Sequence, residues 1–80
     1  MRMPAADQDP ELAALGRAVR RLREQQRKSV RELARAAGIA EQRLARIEAG
    51  QCDLRYDELL DLARSLDLSA AELWRHTQSM

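Results

Sequence analysis

The sequence predicts an all-α domain of five short helices, and three observations carry that reading. Helix-forming residues dominate: 14 Ala and 12 Leu stand against five β-branched residues, two Val, two Ile and one Thr, a balance that disfavours sheet. Apolar residues recur at three- and four-residue spacings in several separate stretches, the period of one helix face and not of a strand. Between those stretches stand the capping residues and glycines with which helices begin and end. Eighty residues make one domain, since so short a chain seldom forms two separate cores. The division expected is an N-terminal tail at 1–9, one domain over 10–77 and a C-terminal tail at 78–80.

The tail 1–9 holds Pro4, small residues and acids without periodicity. Pro10 suits the first turn of a helix, where its missing N–H has no partner to lose. From there Leu12, Leu15, Val19 and Leu22 trace an apolar stripe, so a first helix runs to about Gln26 with Arg crowding its other faces. Ser29 and Glu32 have the spacing of a capping box, in which each side chain takes a backbone N–H of the other. The second helix continues through Leu33, Ala34 and Ala37 and stops at Gly38, the residue best able to turn left-handed. After a tight turn at Ile39 and Ala40, a third helix covers about Ala40 to Ala49 and ends at Gly50. A loop from Gln51 to Arg55 leads to a fourth helix bearing Leu59, Leu62, Ala63 and Leu66, broken at Asp67 and Leu68. Ser69 and Glu72 repeat the capping-box spacing and open a fifth helix whose apolar side carries Leu73 and Trp74.

A formal net charge of +1 conceals a strong segregation of charge. Residues 12–50 hold ten basic and four acidic groups, while 51–80 hold three Arg against six acids. A basic region of that density points to a polyanion. Other classes fall away. No stretch approaches the ~18 to 20 apolar residues that span a bilayer, and no signal-peptide pattern opens the chain, so a cytoplasmic protein without membrane contact is expected. Cys52 stands alone, His76 has no nearby Cys or acid cluster, and neither a metal site nor a cofactor is expected. A redox role for Cys52 would need a lowered thiol pKa, against which the neighbouring Asp53 argues. Ser, His and Asp fall in no nucleophilic arrangement and no Gly-rich phosphate loop is present, so the chain reads as a non-enzyme.

On a wheel of about 100° per residue, Ala40, Leu44, Ile47 and Glu48 of the third helix share one arc, and Gln42, Arg46 and Ala49 lie opposite. Glu41 and Ala45 flank that outer face on one side and Arg43 on the other. A short helix seated by Leu44 and Ile47 with Gln and Arg outward has the shape that enters a DNA major groove.

From Leu15 to Leu73 the chain resembles the Cro/C1-type helix-turn-helix family, also called the XRE family. The matching residues are Leu15-Gly16, Val19-Arg20-Arg21-Leu22-Arg23, Ser29 with Glu32-Leu33-Ala34, and Ala37-Gly38-Ile39. They continue with Leu44-Ala45-Arg46-Ile47-Glu48-Ala49-Gly50, Leu59 to Ala63, and Leu68-Ser69-Ala70-Ala71-Glu72-Leu73. The resemblance implies a five-helix, lambda-repressor-like DNA-binding domain whose third helix reads double-stranded DNA. Carried over by position, Glu41, Gln42, Ala45 and Arg46 face the bases. Gln42 suits adenine, Arg46 guanine, Glu41 the cytosine amino group and Ala45 the thymine methyl. Arg43 falls where the family meets the phosphate backbone, and Arg27, Lys28, Arg31 and Arg35 add phosphate contacts through counterion release.

Arg23 and Glu48 each lie about 40° from an apolar neighbour on their helix, Val19 and Leu44 respectively. Charges so placed are partly buried, mutual pairing is the economical arrangement, and the resemblance places an Arg–Glu ion pair at these two positions. A core this small gains stability from self-association. Leu68, Leu73 and Trp74 are the candidates for a dimer interface, because the family often pairs through its C-terminal half and Trp is enriched at interface centres. The function this implies is a homodimeric transcriptional regulator on a palindromic operator. Controller proteins of restriction-modification systems and phage-type repressors are similar in size and layout. Two alternatives stand beside it. One is an antitoxin that represses its own operon and binds a toxin, or another regulator, as protein partner. The other is an interaction module with weak DNA binding, supported by Val30 and Ala40 in place of the family's usual Gln and Ser or Thr, and by the negative Glu41.

Overall fold

Residues 10–78 are described by a computed structural model, in which five helices follow one another. They are α1 (Pro10–Gln25), α2 (Val30–Ala37), α3 (Glu41–Glu48), α4 (Tyr56–Ser65) and α5 (Ala70–Gln78). Among the described residues there is no strand. The expected tail 1–9 and the last two residues lie outside that span. Gln78, expected in the C-terminal tail, instead belongs to α5.

Local chemistry explains where the helices start. Ser29 Oγ accepts from the Glu32 N–H at 3.0 Å while Glu32 Oε1 accepts from the Ser29 N–H at 2.8 Å, closing a capping box on α2. Ser69 and Glu72 repeat this on α5 at 3.1 and 2.8 Å. These bonds hold both carboxyl groups below the usual glutamate range, the backbone N–H of each serine being the larger cause.

The ends of α1, α2 and α4 share one device. At α2, Ile39 N–H reaches the Ala34 carbonyl at 2.9 Å across a left-handed Gly38 with φ 71°, a closure that satisfies carbonyls the helix leaves open. The same pattern ends α1 at Arg27 and α4 at Asp67, although these carry side chains at φ 58° and 65°. Lys28 N–H then bonds the Arg23 carbonyl at 3.1 Å and Leu68 N–H the Ala63 carbonyl at 2.8 Å.

Leu15, Val19 and Leu22 of α1 meet Leu33, Leu44, Ile47, Leu62, Leu66 and Leu73 in one core. Each fully buried Leu or Val contributes roughly 1.5 to 3 kcal/mol over leaving it in water. α1 lies against α3 and α5, α2 against α3 and α4, and α4 against α5. Gly16 permits the first of these contacts. A Cβ built there would collide with the Ile47 carbonyl oxygen and lie 2.7 Å from that of Glu48.

Candidate nucleic-acid interface

α2 and α3 are joined by the three residues 38–40, and α3 rests on α1 and α2 through Leu44 and Ile47, at 0% and 3% exposure. That seat turns Glu41, Gln42, Ala45 and Arg46 to solvent together. Neither Gln42 nor Arg46 forms a side-chain hydrogen bond or ion pair among the described residues. Their donors and acceptors are free to meet base edges, as direct readout requires. Arg31 and Arg35, one turn apart on α2, and Arg27 in the preceding loop are exposed as well. They form the basic flank of the same element pair.

Two of the side chains expected at phosphates have partners within the chain. Arg43 turns its fork onto Glu58, with Nε donating to Oε2 at 2.6 Å and Nη2 to Oε1 at 2.8 Å. Nη2 also donates to the Asp53 carbonyl at 3.0 Å, and Nη1 approaches Cys52 Sγ at 3.9 Å. The Arg43 guanidinium beside Glu58 holds that carboxyl down to about 2 against the opposing effect of burial, with help from the Arg55 N–H, and Glu58 raises Arg43 in turn. In the DNA-free chain the guanidinium expected on a phosphate is thus paired with Glu58. Lys28 is bonded within the chain as well. Its ammonium donates to the Ser65 carbonyl at 2.7 Å, next to Gln26, which donates to the Leu66 carbonyl at 2.8 Å. The carbonyl end of α4 draws a cation there.

Arg23 and Glu48 come together as a side-on fork at 2.7 and 3.0 Å, with side chains only 11% and 7% exposed. Arg23 also donates to the Lys28 carbonyl at 2.9 Å, and the bond to Glu48 raises its pKa further. The pair ties α1 to the last residue of α3.

The expected dimer candidates separate. Leu73 is fully buried in the core and offers no face to a partner, while Leu68 is half-buried against that core. Trp74 remains 37% exposed and Tyr56, unremarked as a surface residue in the sequence, is 70% exposed. Together with Leu12, Leu15, Leu54 and Leu59 they line an open groove of about 260 Å³. Among the described residues, no group of three or more His, Cys, Asp or Glu is placed to hold a metal, and no helix is long and apolar enough to cross a membrane.

A family model describing a helix-turn-helix domain matches residues 14–75. The chain belongs to the helix-turn-helix domain family. Its five-helix order is that of the Cro/C1 type, whose members are DNA-binding transcription regulators. Two crystal structures of ClgR, a clp gene regulator from Corynebacterium glutamicum, are similar to it. The first aligns with a TM-score of 0.81 at 26% identity over 85% of this chain and 72% of that one. The second gives 0.82 at 25% identity over 96% and 95%. The restriction-modification controller protein C.AhdI from Aeromonas hydrophila aligns with a TM-score of 0.75 at 31% identity, over 78% of this chain and 94% of its own. No curated protein sequence matches the chain significantly.

Proposed function

We propose that this regulator reads a two-fold symmetric operator in the major groove, with α3 as the reading element and a homodimer as the binding unit. The observation that carries the reading is the free pair Gln42 and Arg46, projecting from the face opposite buried Leu44 and Ile47. The Gln42 amide matches adenine N6 and N7, the Arg46 fork matches guanine O6 and N7, Ala45 offers its methyl to thymine, and Glu41 accepts from cytosine N4. Arg27, Arg31 and Arg35 supply the phosphate contacts that fix register. ClgR and C.AhdI are described as a gene regulator and a controller protein, which supports a regulatory role here. The exposed aromatic surface of Tyr56 and Trp74 supports self-association, and two-fold pairing would set half-sites roughly 34 Å apart.

Selection from a random duplex pool at ~0.15 M salt, where non-specific phosphate binding is weakened, tests the proposal. A two-fold symmetric site is expected to enrich, and Arg46→Ala should relax preference at one base position per half-site, a loss of about 1 to 3 kcal/mol. Absence of enrichment overturns it. The open groove also favours a second reading, in which a protein partner such as a toxin docks on it. Trp74 emission separates the two: a blue shift on dimerisation assigns the groove to self-association, and water-exposed emission in the dimer leaves it for another protein.

A further inference from the structure

Resting on the reading of α3 as the groove-entering helix, we propose that Arg43 and Glu58 form a positioning clamp that fixes the roll of α3 and keeps Arg43 itself off the phosphates.

α3 has eight residues and packs on α1 and α2 through Leu44 and Ile47. Those two residues form one narrow stripe, and a helix seated along a single stripe resists translation better than rotation about its own axis. Two ion pairs supply the lateral restraint. On a wheel of about 100° per residue, Arg43 lies about 70° to one side of the middle of the stripe and Glu48 about 70° to the other. Glu48 is held by Arg23 from α1, and Arg43 by Glu58 from α4. The base-facing Gln42 and Arg46 project between these two stays on the far side of the helix.

The α4 side of the clamp is itself immobilised. Glu58 is 6% exposed, and its Oε1 accepts the Arg55 N–H at 2.9 Å, so the carboxylate is part of the first turn of α4. Arg43 adds its bond to the Asp53 carbonyl and so engages the loop between α3 and α4 as well. A roll of ~10° moves a side-chain tip ~6 Å from the helix axis by about 1 Å, more than the distance range of a sound hydrogen bond. Loss of the clamp therefore degrades the contacts of Arg46 and Gln42 without touching either residue. Since Glu58 neutralises Arg43, that arginine releases no counterion from DNA.

Binding of wild type, Arg43→Ala, Glu58→Gln and the double variant to the selected site and to random duplex, across a salt series, tests the clamp. Each single variant is expected to lower the ratio of site to random affinity by roughly tenfold, the worth of one bidentate base contact, and the double variant to fall no further than the worse single. Arg43→Ala is expected to leave the salt dependence on random duplex unchanged, and Glu58→Gln, by releasing the Arg43 charge, to steepen it by as much as about 0.9 in log–log slope. A slope shallower by about 0.9 in Arg43→Ala, with discrimination intact in Glu58→Gln, would make Arg43 a phosphate ligand and overturn the proposal. Should wild type show no site preference, the operator reading fails by itself. Amide exchange in the DNA-free variants then judges the clamp: faster exchange of the same α3 amides in both supports it, and unchanged exchange overturns it.

Discussion

Both ends of α3 are tied to the rest of the molecule by Arg–Glu forks of similar length, 2.7 Å for Arg23–Glu48 and 2.6 Å for Arg43–Glu58, yet they sit in different surroundings. The first has both side chains nearly shut off from water, 11% and 7% exposed, while in the second Arg43 keeps 37% of its surface against 8% for Glu58. Arg23 and Glu48 stand on the apolar stripes of their helices, where an unpaired charge would cost several kcal/mol. Arg43 stands at the edge of its stripe, where solvent, DNA or a carboxylate could each satisfy it. A charge on a stripe announces its need for a partner, whereas a charge at the edge takes the partner that the fold brings near.

Breaking the inner pair is expected to have the largest effect. Arg23→Ala leaves Glu48 buried without its cation and should cost about 3 to 5 kcal/mol in urea unfolding, comparable to the whole stability of so small a domain. A loss below about 1 kcal/mol would show that water reaches Glu48 and that the two forks are energetically alike. Gly16→Ala attacks the same α1–α3 contact from the backbone side. Its Cβ meets the Ile47 and Glu48 carbonyl oxygens, which are not the far ends of flexible side chains, so α1 must lift from α3 at a cost of roughly 2 to 3 kcal/mol. Unchanged stability in that variant would mean that α1 has room to move that the packing denies it.

Much of this architecture was legible in the chain. The five helices followed from apolar period, the capping boxes from Ser29–Glu32 and Ser69–Glu72, and the ends of α2 and α3 from Gly38 and Gly50, because each rests on residues close in sequence. What escaped depends on approach between distant segments. Gly16 needs its small size only because two carbonyls from α3 come to it. The intrachain bonds of Arg43 and Lys28 escaped because Glu58 and Ser65, their partners, lie 15 and 37 residues away. Leu73 looked available to a dimer because nothing local states that Leu15, Leu62 and Leu66 share its core. Arg27 and Asp67 gave no glycine signal, yet the closure of α1 and α4 places them left-handed all the same.

The outer pair is best sharpened by acid. Glu58 titrates at about 2 in the folded chain against an ordinary value of 4.5, so the unfolded state takes up its proton first. Its contribution is complete above about pH 4.5 and is lost as pH falls toward 2. Because Arg43 is more than a third exposed, screening reduces that contribution to roughly 1 to 2 kcal/mol. Urea unfolding between pH 2 and 6 should show a shallower acid slope for Glu58→Gln than for wild type, the remainder coming from the capping carboxylates Glu32 and Glu72, which are also held low. Identical slopes would mean that the fork adds nothing to stability.

The smallest expected effect concerns how α3 begins. α2 starts from a closed capping box, but α3 starts from Ala40, whose φ −61° and ψ 140° are those of an N-cap although it has no side chain to accept a bond. Ala40→Ser places a hydroxyl at that extended residue, within reach of the first-turn N–H groups, and should stabilise the domain by about 0.5 to 1 kcal/mol. The comparison with the two forks lies in what happens to DNA discrimination. If the forks already fix α3, the added cap raises the unfolding midpoint and leaves the ratio of site to random affinity where it was. A ratio that rises with the cap would mean that the first turn of free α3 frays. The roll of the helix would then be set by its N-terminus together with Arg43 and Glu58, and the clamp would have to be counted as three groups.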